Sequence, residues 1–160
     1  MKPAATALFL TLISLSPSSC AYGTYEQRLD LQGKLEFASK QLDSMKVKSV
    51  EILFIPSDVL FGVAVTPDRL HEIYSYKIVI SRFGASRQAP MLAAALKKTK
   101  VSSSAQTGDI RWGVSIEFTE GPRLNLYLDG FGKFGEIDGH AAKFDGALYS
   151  WLQTFAACVR

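Results

Sequence analysis

Three glycines, Gly130, Gly132 and Gly135, stand in the spacing G-x-G-x-x-G directly after a stretch that reads as a strand. Glycines so placed let a backbone close on a pyrophosphate when they open a helix and an acid follows about twenty positions on. Here Glu136, Ile137, Asp138 and Gly139 follow, which do not start a helix, and no acid lies beyond Asp145. The spacing therefore reads as a tight hairpin, and no cofactor is expected. Around it, Asp129, Glu136, Asp138, His140 and Asp145 form the densest group of potential ligands or acid and base residues. Calcium would need oxygen ligands at alternating positions about one glycine, and zinc a third histidine or cysteine. Neither spacing is met, so no metal is expected. A general base also needs a nucleophile beside it, and neither G-x-S-x-G nor a cysteine with histidine is visible. The acids read as turn formers next to glycines, and no catalytic residue is assigned.

The order strand, glycine loop, strand also resembles the phosphate-covering loop of protein kinases, with Ile137 two after the last glycine and Ala141 and Lys143 beyond. That resemblance implies a nucleotide site, but it stops at Lys143, with too little chain left for a kinase catalytic loop. Partner contacts are the better expectation. Arg111, Arg123 and Tyr127 should point to the open side of a one-sided sheet, where a protein or an anion can reach them. Phe131 and Phe134 should meet across a two-residue turn at Gly132 and Lys133, an aromatic pair that a neighbouring loop covers or a partner contacts. His71, beside Glu72, reads as a surface histidine.

Step back from these residues, and a sheet must hold them. Ile110, Trp112, Val114, Ile116 and Phe118 alternate with polar residues, as do Leu124, Leu126 and Leu128, so two strands each bury one face. Parity and the shortest loop pair Phe118 with Leu124, Ile116 with Leu126 and Val114 with Leu128, and further on Leu128 with Ile137. Before them, Leu31, Leu35, Ala38, Leu42 and Met45 mark a helix from about Glu26 to Ser44. Val47 to Ile55 reads as an interior strand, Leu60 to Val65 as a short one, and Thr66 with Pro67 as a helix start above Leu70, Ile73 and Tyr74. Tyr76 to Ser81 is a strand and Arg82 to Ser86 a loop. A helix from Pro90 buries Met91, Leu92, Ala95 and Leu96. Val101 to Gly108 reads as a flexible connection and Gly139 to Lys143 as irregular. A last helix, capped by Asp145, carries Leu148, Trp151, Leu152, Phe155 and Val159. The class is α+β: one antiparallel or mixed sheet with helices packed on one face.

Hydrophobic content of 48% with 21% charged residues excludes disorder, and the net charge of +3 comes from mixed signs. Lys97, Lys98 and Lys100 end a helix where cations suit its dipole, so no nucleic acid is expected. Residues 1–20 read as a signal peptide, with Lys2, the apolar run Ala4 to Leu15 and the small residues Ser16 to Cys20. Residues 21–160 then form a single globular domain. Two cuts stay open: a lipoprotein cut that leaves Cys20 as the lipidated first residue, and a cut after Ala21. Cys158 is left as a lone thiol, expected to be buried on the last helix.

Export, small size and the lack of a catalytic constellation point to a bacterial envelope protein, periplasmic, anchored in the outer membrane or secreted. It would bind an envelope protein or a toxin, as an inhibitor or immunity protein does, and touch a membrane only through a lipid on Cys20. A lipid-anchored structural or assembly factor, and a small envelope hydrolase built from the acids near His140, are the alternatives.

Overall fold

The computed structural model describes residues 30–157. Strands β1 (Val47–Phe54), β2 (Tyr76–Ser81), β3 (Lys100–Ser103), β4 (Ile110–Phe118), β5 (Leu124–Asp129), β6 (Phe134–Ile137) and β7 (His140–Asp145) form one sheet. Its order is β2-β1-β4-β5-β6-β7-β3, and every neighbouring pair is antiparallel. The helices are α1 (Leu31–Asp43), α2 (Pro67–Ile73), α3 (Ala89–Lys97) and α4 (Leu148–Ala157). This is a single-domain α+β fold.

Alternation puts Val50, Ile52 and Phe54 of β1, Val114 and Ile116 of β4 and Leu126 and Leu128 of β5 on one face. Leu35, Ala38 and Leu42 of α1, Leu92 and Leu96 of α3, and Leu148, Trp151, Leu152 and Phe155 of α4 cover it. The short α2 lies on the opposite face, where Leu70 joins Leu53, Ile55, Val65 and Ile110 in a second, smaller core.

Local signals set the helix ends. Asp30 caps α1 by accepting the N–H of Gly33 at 2.6 Å, and Thr66 caps α2 with Pro67 behind it. The extension of α1 back to Glu26, like Cys20, Cys158 and Val159, lies outside the described residues. Met45, expected on the buried stripe of α1, is 71% exposed. Its N–H bonds the carbonyl of Leu42 and that of Lys46 bonds Gln41, which ends the helix with Met45 at φ 57 and turns its side chain away. Glycine is the residue that site favours. Met45→Gly should therefore raise stability by about 0.5–1 kcal/mol in thermal melts; a lower melting temperature would show that the methionine side chain makes a stabilising contact.

Several expectations are corrected. Leu60 to Val65 is a loop, because only Val65 reaches a neighbouring strand, through its carbonyl to the N–H of Ile110. Tyr74 and Met91 are exposed rather than buried, and the buried side of α3 keeps Leu92, Ala95 and Leu96 and adds Ala89 and Ala93. Residues 100–103 form β3, paired with β7. The stretch expected to be irregular is β7 itself, entered through an Asp138-Gly139 turn with φ of 48 and 80, the two-residue turn with both centres left-handed. Asp145 ends β7 and does not cap α4. The N–H of Leu148 is met by the buried Thr99 hydroxyl at 3.0 Å, which itself donates to the carbonyl of Ala95 at 2.8 Å.

Both hairpin registers are shifted by two from the expected pairing. Ile116 faces Leu124 and Val114 faces Leu126, because the loop 119–123 is longer than the minimum and Thr119 is tied to the carbonyl of Lys46. Leu128 faces Gly135, not Ile137, because the turn holds four residues, 130–133. A shift of two keeps each side chain on its own face, so the buried set is unchanged. Ile110 is the exception: a bulge between Ile110 and Trp112 sends it to the second core.

Candidate functional site

The glycine-spaced hairpin is built around a carboxylate. Asp129 Oδ1 accepts the N–H of Phe131 at 3.2 Å and of Lys133 at 2.8 Å, and its carbonyl accepts the N–H of Gly132. These donors are thus already spent on an anion of the chain itself. The glycines serve space and conformation separately. Gly132 has φ 68 and seats Tyr149, whose hydroxyl donates to the carbonyl of Gly130. Gly135 brings the β6 backbone against the carbonyl of Tyr127.

Beside this hairpin, at the end of the sheet where β1 finishes and β4 begins, lies a cavity of about 370 Å³. Phe54, Pro56 and Ser57 form one wall, Arg111 and Trp112 another, and Gly130 with Tyr149, Gln153 and Ala156 of α4 close it. Its aromatic side is rigid. The rings of Phe54 and Trp112 stack at 4.8 Å and 13°, and Tyr149 meets Trp112 edge-on at 6.4 Å and 88°.

Among the described residues Arg111 is the one charged group in that lining, and its charge is spent. It is 8% exposed. Nε and Nη2 donate to Asp109 Oδ2 at 2.8 and 2.6 Å, Nη1 donates to the carbonyl of Val59 at 2.7 Å, and the guanidinium lies 5.2 Å from the centre of the Phe61 ring. Asp109 Oδ1 in turn accepts the N–H of Val65 at 2.7 Å. This pair therefore pins the loop 56–65 against the sheet. Within that loop Leu60 is 86% and Val63 59% exposed, and Phe131, the residue after Gly130, is 79% exposed. The site is a hole with aromatic walls and neutral hydrogen-bonding groups, Ser57 and Gln153. It suits an uncharged, largely apolar side chain.

The residues expected to touch a partner are divided by the fold. Arg111 lines the cavity but is buried beneath the loop 56–65, against the Val59 carbonyl and the Phe61 ring on the side of the second core, and Phe131 follows Gly130 of the lining. Phe134 opens β6 half-buried opposite Lys143, so it does not meet Phe131. Tyr127 stays on the open face beneath α2, with its hydroxyl 2.8 Å from His71 Nε2. Burial pushes its phenol up, helped by the charges of Asp68, Glu136, Asp138 and Glu51. Arg123 sits in the loop before β5. Glu117 is held below the usual carboxylate range by hydrogen bonds from Lys48 and Ser49, with smaller help from the charges of Lys48 and Arg123.

The acids near His140 do not converge. Asp129 caps its turn, Asp138 binds Lys34 at 2.7 Å and the N–H of Asn125 at 2.8 Å, Glu136 faces Tyr127 and Asp145 faces Lys100. Among the described residues no group of three His, Cys, Asp or Glu is placed to hold a metal ion. Leu60, Val63, Trp112, Tyr149 and Gln153 were not singled out by sequence as a site. One signal did exist: residues 59–65 are an apolar run interrupted by Gly62, without the strict alternation of a half-buried strand. Comparison with protein-family models, curated proteins and solved structures finds no match.

Proposed function

We propose that this chain is an exported bacterial envelope protein that acts by binding another protein, of inhibitor or immunity type, through the cavity end of its sheet. The observation that carries the reading is a cavity whose one charged lining residue among the described residues is ion-paired, with three exposed apolar side chains close in the chain to its lining: Leu60 and Val63 in the loop after Ser57, and Phe131 after Gly130. An aromatic-walled hole is where a partner's anchoring side chain gains most from leaving water, and exposed apolar side chains add to such a contact. Export is supported by Lys2, the apolar run to Leu15 and the small residues up to Cys20.

A photo-reactive residue at position 60 or 131 of the mature chain should crosslink to one envelope protein, and the same residue at Met91 on α3 should not. With that protein in hand, Leu60→Asp and Phe131→Ala should each weaken the complex by about tenfold or more at an unchanged melting temperature. Equal crosslinking from Met91, or an unaltered affinity for both variants, would remove this end of the sheet from the binding site.

A further inference from the structure

The two edges of the sheet are built differently. β3 spans four residues and carries an exposed lysine, Lys100, and two exposed serines, Ser102 and Ser103. Short length and charge are the usual protection of an edge. β2, the other edge, spans six residues without proline, glycine or bulge, and pairs with β1 residue for residue from Ser49 opposite Ser81 to Phe54 opposite Tyr76. Its one charge does not guard it, because Lys77 lies 2.9 Å from Glu51 of the neighbouring strand, which also raises the ammonium above its ordinary range. Val79 is 54% exposed on the open face, and Ile78 and Ile80 are half-exposed on the helix side.

We propose that β2 pairs antiparallel with β2 of a second copy of this chain, about a two-fold axis through Val79, joining the two sheets into one. Directly opposed residues in such a pair share a face, so the choice of axis fixes every contact. An axis at Val79 places it against the partner's Val79, Ile78 against the partner's Ile80, and Lys77 against the partner's Ser81. Each opposition is apolar on apolar or ammonium on hydroxyl, and no like charges meet. An axis one residue earlier would set Lys77 against the partner's Val79, which the chemistry disfavours. The contact is isologous and closed, so it yields a dimer and not a fibre. It uses neither the cavity nor its apolar rim, and it stands whether or not that end binds a partner.

Sedimentation velocity on the mature chain should show monomer passing to dimer between about 1 and 200 µM, the range of a small interface. Val79→Lys puts two ammonium groups face to face at the axis. It should raise the dissociation constant by about tenfold or more, with the melting temperature of the monomer kept because position 79 is on the surface. In a Cys158→Ser background, Val79→Cys should form a disulfide-linked dimer on oxidation, and Ser102→Cys on the opposite edge should not. A chain that stays monomeric throughout, a Val79→Lys protein that associates like the wild type, or a link through position 102 in place of 79, would each overturn the proposal.

Discussion

Gly135→Ala lowers the stability of this protein by about 3 kcal/mol, the upper part of the range for overpacked interiors. A Cβ at position 135 would lie 1.8 Å from the carbonyl oxygen of Tyr127, 2.7 Å from its carbon and 3.0 Å from the Cα of Leu128. All three atoms are backbone of the paired strand β5, so no rotamer change relieves the clash, and β5 or β6 must move out of the ladder. Gly130→Ala supplies the contrast within the same glycine spacing. There the nearest atom is Cγ of Arg111 at 3.4 Å, an ordinary contact on a flexible side chain. Urea unfolding of the two variants should show a large loss for position 135 and less than about 1 kcal/mol for position 130. Neither glycine has a positive φ, so equal losses would show that close approach at position 135 is not the cause.

Trp151→Ala costs about 3–5 kcal/mol, as emptying a buried indole site does elsewhere. Trp151 is 7% exposed in the middle of α4 and its ring stacks on Phe155 at 5.3 Å and 18°. Leu152, fully buried beside it, should cost about 2–5 kcal/mol on truncation to alanine. The indole adds a way to separate packing from hydrogen bonding. Its Nε1 is buried and has no hydrogen-bond partner among the described residues. Trp151→Phe therefore sacrifices no such bond and should recover most of the loss. A phenylalanine variant as unstable as the alanine one would reveal a partner for the indole N–H; unchanged stability for both alanine variants would detach α4 from the core.

What was legible in the sequence was set by burial on one face. The alternations through β1, β4 and β5 identify buried side chains because a strand with one dry face must repeat every two residues. Registers were not legible, since each depends on a loop whose length is fixed elsewhere: the Asp129 carboxylate folds four residues into its turn, and Thr119 is held by Lys46, far away in the chain. β3 escaped notice because its serines carry no apolar period, and β7 because Ala141 and Ala142 blur one. The Asp138-Gly139 turn was readable from its residue pair and was passed over. At the candidate site, Phe131 stood out by its place on a glycine-flanked turn. The burial of Arg111 was not legible because the loop that covers it, through the Val59 carbonyl and the Phe61 ring, lies far away in the chain, and Trp112, Tyr149 and Gln153 meet only when α4 docks.

The strand order carries a consequence for the route of folding. β4, β5, β6 and β7 follow one another in chain and in space, so each of their pairings closes only a short loop. β3 precedes all four yet pairs with the last, and its ladder must wait until β7 exists. Loop-closure entropy thus favours the four-strand meander as an early unit, with the β3 ladder added afterwards. Thr99 makes that addition concerted. It stands directly before β3, and its hydroxyl receives the first N–H of α4, so edge strand and final helix gain their hydrogen bonds together. A chain that emerges amino end first accordingly keeps the α4 side of its core wet until residues 148–157 have arrived, and that last-made helix is the one that seals it.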